Sequence, residues 1–355
     1  MAPRTRSNRV EQLARQKLLA SGRSFNTHGF PALPDELYLE IISNLPPIPV
    51  PTKDVRVNTK ALRNRQQTLF SLSQTCRSLR RVFLRYLWQR IEVFDGMETA
   101  KGPLPALNTA WVKPRFKNYV YKQYAEELVR QLEIVTVRDP SLAQYVNILN
   151  VLVLDYSIDA VFPELLRCMG LFPNLHTVQI CFPFPRRHFD PKEILKAYKF
   201  PQICNVCVSP DSAYFLSSCP EAKRVSPYLN ISFGRCPLLD YIVTYCPKVQ
   251  TLDSFTFNSE SRRRILKYLK DLHDITLDPF SLTDYDNVKD LSQLRLHTIR
   301  IRRQIGAGAS LVLSYAECVK NAKKVLLACP DTDNKKRVIM YHDNGEVQSF
   351  LASET

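Results

Sequence analysis

One pattern constrains this chain more than any other: an apolar residue, two variable ones, an apolar residue, one variable, then usually another apolar one. It returns along most of residues 145–355. Copies begin at Leu149, Leu175, Ile203, Ala222 (a weak one), Val249, Leu272, Leu296 and Ala322, separated by 19 to 28 residues. Apolar residues alternating over such short stretches read as strands. Helical segments lie between them, at 160–172, 211–219, 236–246, 261–270 and 311–322. Several reach the next strand through Phe172–Pro173, Phe200–Pro201, Cys219–Pro220 or Cys246–Pro247. Proline stops a helix and sets an extended approach to the next strand. No single unit can bury its apolar face alone, so neighbours must stack. The expectation is a strand–helix solenoid over 141–355, with a parallel sheet along its inner curve.

The repeat length falls largely in the leucine-rich-repeat range, and the pattern resembles the irregular repeats of that family. In such a stack the side chains flanking the central apolar residue point out of the inner sheet face. Those are Thr177 and Gln179, Asn205 and Cys207, Arg224 and Ser226, Thr251 and Asp253, Asp274 and Thr276, and Thr298 and Arg300. Acidic character is expected mid-array at Asp253 and Asp274, and basic character later at Arg300, Arg302 and Lys324. This face is the expected seat of a folded protein or exposed peptide; the plainer reading is a solvated surface.

Residues 30–96 differ in kind. Pro34 sits at a first-turn position, with Asp35 and Glu36 where a helix dipole favours negative charge. Leu37, Ile41 and Leu45 make one stripe with Ile42 beside it, and Pro46–Pro47 end the helix. Residues 46–66 hold four prolines and no apolar period, the marks of a long surface loop. Helical spacing resumes with Leu69 and Leu72, then Leu79, Phe83 and Leu87. The order Leu33–Pro34, Leu37, Ile41, Leu45–Pro46, Leu72, Cys76–Arg77, Leu79–Arg80, Leu87–Trp88 resembles the F-box. It departs in its long internal loop and in the polar run Ser73–Thr75.

That resemblance implies a small all-α domain ahead of an α/β leucine-rich-repeat solenoid, α+β overall. It also implies a function: the non-catalytic substrate receptor of a Skp-adaptor/cullin/F-box ubiquitin ligase, with the solenoid holding a protein target. The adaptor-contact candidates it implies are Leu33, Pro34, Leu37, Ile41, Leu45, Leu79 and Trp88, some of which must instead form the domain's own core. Residues 97–120 read as an irregular connector, followed by an amphipathic helix on Tyr121, Ala125, Leu128, Leu132 and Val135.

Composition narrows the alternatives. Residues 1–29 carry six Arg or Lys against one acid and read as a basic disordered tail. The formal net charge of +15 is otherwise spread along the chain, whereas a nucleic-acid binder concentrates it on one element. A basic nucleic-acid-associated protein and an adaptor-binding scaffold outside any ligase are the competing readings. No apolar run approaches a membrane span and no secretory pattern opens the chain, so a cytoplasmic or nuclear protein with ten reduced cysteines is expected.

Cys204 and Cys207 are a lone C-x-x-C on an expected strand, without the further ligands a zinc site needs. His176, His273 and His297 recur at one repeat position. The segment Gly306–Ser310 lacks the Gly-Lys-Ser/Thr of a phosphate loop, and Arg262–Arg264 and Lys335–Arg337 read as solvated basic runs. No cofactor, metal or catalytic constellation is expected.

Overall fold

The computed structural model describes residues 30, 33–45, 59–94, 96–99, 102–105, 114–182, 191–228, 237–255, 258–277, 279–302, 315–330, 336–341 and 347–353. The chain divides into two compact units, one reaching Arg90 and the other running on from Ile91. The basic tail, residues 46–58 of the expected loop and Gly306–Ser310 lie outside the described residues.

Among the described residues the first unit holds three helices: α1 (Asp35–Ser43), α2 (Thr59–Thr75) and α3 (Arg77–Leu87). Its core is Tyr38, Ile42, Leu69, Leu79 and Phe83, with Leu33, Ile41, Leu45, Leu72, Cys76, Val82, Tyr86 and Leu87 half-buried around it. Tyr38 is central: its ring meets Phe30 and Phe83 edge-on at 5.7 Å each, and its hydroxyl donates to the Phe30 carbonyl at 2.8 Å.

The α1 side chains that fill the core are Tyr38 and Ile42, with Ile41 and Leu45 half-buried against it and Leu37 exposed. One expectation fails here. Residues 59–66, expected in the loop, are the first turns of α2. Their Lys, Ala, Leu, Arg and Gln are good helix formers without an apolar period, so periodicity alone passes over them.

The second unit is built on a ten-stranded sheet. Strand β1 (Arg90–Val93) opens it, and a two-residue hairpin, β2 (Glu98–Thr99) with β3 (Gly102–Pro103), stands apart. Helix α4 (Pro114–Glu133) runs into a wider π turn at Ile134–Arg138. The described part of the expected connector is thus a hairpin and the start of a helix. The face α4 buries carries Val120, Tyr124, Glu127, Leu128, Gln131 and Leu132, with Tyr124 in place of Tyr121 and Ala125.

Then come β4 (Ile148–Leu152), α5 (Ile158–Met169), β5 (Thr177–Cys181), α6 (Pro191–Leu195), β6 (Asn205–Val208), a 3-10 helix at Pro210–Ser218, β7 (Arg224–Pro227) and α7 (Pro237–Tyr245). The order continues with β8 (Thr251–Phe255), α8 (Ser259–Tyr268), β9 (Asp274–Leu277), α9 (Pro279–Leu282), β10 (Thr298–Arg302), α10 (Tyr315–Ala328), β11 (Arg337–Tyr341) and β12 (Val347–Leu351). From β4 to β11 each strand lies beside the next in sequence and parallel to it, and β12 closes the sheet antiparallel.

The register shows why the pattern works. Leu149, Val178, Val206, Val225, Leu252, Ile275, Ile299 and Val338 form one continuous row, and every one is buried. The repeat starts Leu175, Ile203, Ala222, Val249, Leu272 and Leu296 are fully buried as well.

Two copies lie elsewhere than the spacing predicts. Leu149 pairs with Val178 rather than with Leu175, so the first copy begins three residues earlier, at the fully buried Val146. The copy at Ala322 is not a strand: Cys318, Ala322, Val325 and Leu326 are the buried stripe of α10, and the strand of that unit is β11. The spacing i, i+3 from Ala322 to Val325 satisfies a helix as well as a strand–turn, and the preceding Cys318 extends the helical period.

The edge at β1 is closed by a side chain. Gln131 of α4 accepts from the Glu92 backbone N–H at 3.1 Å and donates to the Glu92 carbonyl at 2.9 Å. Its amide thus supplies the donor and acceptor that a neighbouring strand would, on an edge otherwise open to mispairing.

Candidate functional site

The expected inner-face residues do come together. The parallel register sets Thr177, Asn205, Arg224, Thr251, Asp274, Thr298 and Arg337 side by side in one row. A second row, two residues further along, holds Asn150, Gln179, Cys207 and Ser226 from β4 to β7, and Thr276, Arg300 and Ile339 from β9 to β11. Asn150 is an addition to the expected face, hidden in the sequence because Leu149 suggests a different register for the first copy.

The face is polar but far from freely exposed. Asn150, Thr177, Gln179, Cys207, Ser226, Asp253, Thr276 and Thr298 are buried, and Asn205, Thr251 and Arg224 are half-buried. The side chains of Asp274 and Arg300 are 26% and 14% exposed.

At the centre lies Asp253, with no exposed surface. Leu252 pairs with Ile275 and Phe255 with Leu277, so two residues of β8 oppose one of β9, a bulge at Asp253. Its carboxylate accepts from Arg224 Nε and Ser226 Oγ at 2.6 Å each and from Thr276 Oγ1 at 3.0 Å. Three donors, one a guanidinium, satisfy the hydrogen-bonding capacity of a carboxylate that has no water to turn to. The expectation that Asp253 presents acidity outward is therefore corrected: its charge is spent inside the sheet face. Asp274 is spent likewise, accepting from Arg300 Nη2 at 2.7 Å. Burial opposes the Arg300 charge, but Asp274 and the nearby Asp253 outweigh it and hold the guanidinium pKa above its ordinary value. Lys324 is not on the sheet: it sits on α10 with its ammonium 5.5 Å from the Tyr285 ring centroid.

Two polar atoms of the face are buried without a partner, Gln179 Oε1 and Arg300 Nη1. Along the strand starts, the His273 and His297 rings stack at 4.8 Å and 8°, and His273 Nδ1 lies 3.1 Å from the Arg295 carbonyl oxygen. His176 lies instead on β5's approach, 2.8 Å from Thr177 Oγ1. His273 and His297 precede adjacent strands while His176 is four strands away, so the three do not converge on one point.

In the helical unit the adaptor candidates separate. Pro34 and Leu37 are exposed, Leu33, Ile41, Leu45 and Trp88 are half-buried, and Leu79 is core at 3% exposed. Leu79 thus drops out as a contact residue. Phe30, Leu39 and Phe70, none of them expected, are exposed large apolar side chains.

The remaining sequence signals resolve into structure. No group of three metal-ligating side chains forms among the described residues. Cys204 is half-buried and Cys207 buried, both as free thiols. Arg262 pairs with Asp290, Arg263 with Glu260, and Arg264 with Glu260 and Asp240. A cavity of about 230 Å³ beside the hairpin is lined by Glu126, Glu127 and Arg130, but Glu127 is already bound to Arg130 and Gln131. No described helix is long and apolar enough to cross a membrane.

No protein-family model matches the chain, and no curated protein matches it. Among solved structures, a leucine-rich repeat-containing protein, LegL7 from Legionella pneumophila, aligns with 65% of this chain and 83% of its own at 13% identity. The TM-score is 0.39, too low to carry any argument about fold or role.

Proposed function

We propose that this chain is a non-catalytic substrate receptor of the Skp-adaptor/cullin/F-box type. The helical unit would dock the adaptor, and the polar face of a leucine-rich-repeat sheet would hold a protein target. The observation that carries the reading is at α1, where Pro34 ahead of the helix and Leu37 on it stand exposed while Tyr38 and Ile42 fill the core. Pro34, Leu37 and Ile41 fall on one stripe of the helix. The exposed Pro34 and Leu37, continuing onto the half-buried Ile41, are surface for a partner to cover. The receptor's own contribution would be proximity, raising the effective concentration of target lysines near a charged conjugating enzyme.

The test is capture of a purified Skp-type adaptor by the full chain and by its Pro34→Ala/Leu37→Ala variant. Capture by the first and its loss in the second, with the sheet unit's melting unchanged, is the expected result. Equal capture by both contradicts the reading. Adaptor capture without cullin-dependent turnover of any interactor would favour a scaffold instead.

A further inference from the structure

The strand starts of the sheet carry charge in an uneven way. The residues immediately preceding β7 to β11 are Lys223, Gln250, His273, His297 and Lys336, and the first residues of those strands include Arg224, Asp274 and Arg337. The two acids within strands β7 to β11 are held internally, Asp253 by Arg224 and Asp274 by Arg300. The remaining cations are not. Lys223 and Arg337 are exposed, and among the described residues neither is in an ion pair. Lys336 donates only to the neutral Cys329 carbonyl. Arg300, between them on β10, keeps a buried guanidinium nitrogen without an acceptor.

The continuous register from Arg224 through Thr251, Asp274 and Thr298 to Arg337 fixes the span. Four strand spacings of about 4.8 Å make roughly 19 Å, the length of about six residues of extended chain.

We propose that this rim, between Lys223–Arg224 and Lys336–Arg337, receives an acidic segment of the partner protein. The inference rests on reading the sheet face as the target-holding surface and names the chemistry of what it holds. Carboxylates meet the unneutralised cations at the two ends, with the stacked His273 and His297 between them.

The experiment uses the full chain and a short labelled peptide of alternating Glu and Ser, with a Gln-and-Ser peptide of equal length as control. Fluorescence anisotropy should show binding of the Glu peptide that weakens with salt, and little binding of the Gln peptide. Charge reversal at the exposed pair, Lys223→Glu with Arg337→Glu, should reduce Glu-peptide affinity about tenfold or more. Equal binding of the two peptides by the unaltered chain overturns the proposal, whether or not the variant folds. So does an undiminished affinity in the variant, or a single-stranded oligonucleotide that binds more tightly than the Glu peptide. Adaptor capture, measured on the same preparations, should not respond to the rim substitutions. Its failure would count against the receptor reading alone.

Discussion

The two units solve the problem of burial in opposite ways. The helical unit gathers Ile42, Leu69 and Leu79 around Tyr38 and Phe83 and leaves Phe30, Leu37, Leu39 and Phe70 exposed. The sheet unit runs an unbroken apolar row from Leu149 to Val338 and completes its edge with Gln131. It turns its opposite face into a hydrogen-bonded polar surface on Asp253 and Asp274. A small core gains from a partner that covers its apolar surface. A stacked array supplies its own covering, and the surface it offers outward is polar and charged. The difference explains why the helical unit is the candidate for constitutive docking and the sheet face for selective recognition.

The comparison is broken most forcefully at the centre of each unit. Phe83→Ala should cost the helical unit about 3–5 kcal/mol through lost apolar burial and the cavity left behind. Asp253→Ala should cost the sheet unit about 2–3 kcal/mol for a different reason, since it leaves the buried Ser226 and Thr276 hydroxyls without their acceptor and the half-buried Arg224 without its partner. Calorimetry should show each variant lowering one transition and sparing the other. A single transition moved equally by both would erase the distinction between the units.

The edge comes next. Gln131→Leu keeps the volume but removes both bonds to the Glu92 backbone, and should lower the sheet unit's unfolding free energy by about 1–3 kcal/mol in a denaturant titration. A value equal to that of the unaltered chain would mean the edge needs no closure.

Thiol chemistry gives the gentlest test. Burial pushes the Cys246 thiol up to about 12 and the Cys219 thiol well above its ordinary value. At neutral pH alkylation should mark the half-buried Cys76 and Cys204 and spare these two. A thiol whose pKa is raised on folding contributes stability that is whole below its unfolded value near 9. That contribution is lost as pH climbs toward 12, so the sheet unit's melting temperature should fall over that window and not between pH 6 and 8. A Cys246 alkylated at neutral pH as fast as Cys204 would contradict its placement in the interior.

The sequence displays the sheet unit because its apolar row repeats: Val178, Val206, Leu252, Ile275 and Ile299 can be placed from spacing alone. It displays less where one spacing serves two structures. Ala322 to Val325 fits a helix and a strand start equally, and only packing within α10 decides. Alternation locates the polar face but not its internal neutralisation. The bonds from Arg224, Ser226 and Thr276 to Asp253 depend on a bulge that one extra residue, unremarkable in the sequence, creates. The Gln131–Glu92 pairing joins residues 39 apart with no local signal. In the helical unit the spacing displays the stripe Leu37, Ile41 and Leu45 but gives no sign that Tyr38, polar at its tip, is a core side chain.

The most direct test of the central claim is hydrogen–deuterium exchange on the full chain with and without a purified Skp-type adaptor. The account predicts that added protection concentrates in residues 33–45 and 59–87 and leaves the strands from β4 to β11 unchanged. No gain in protection, or a gain confined to the sheet, would contradict it.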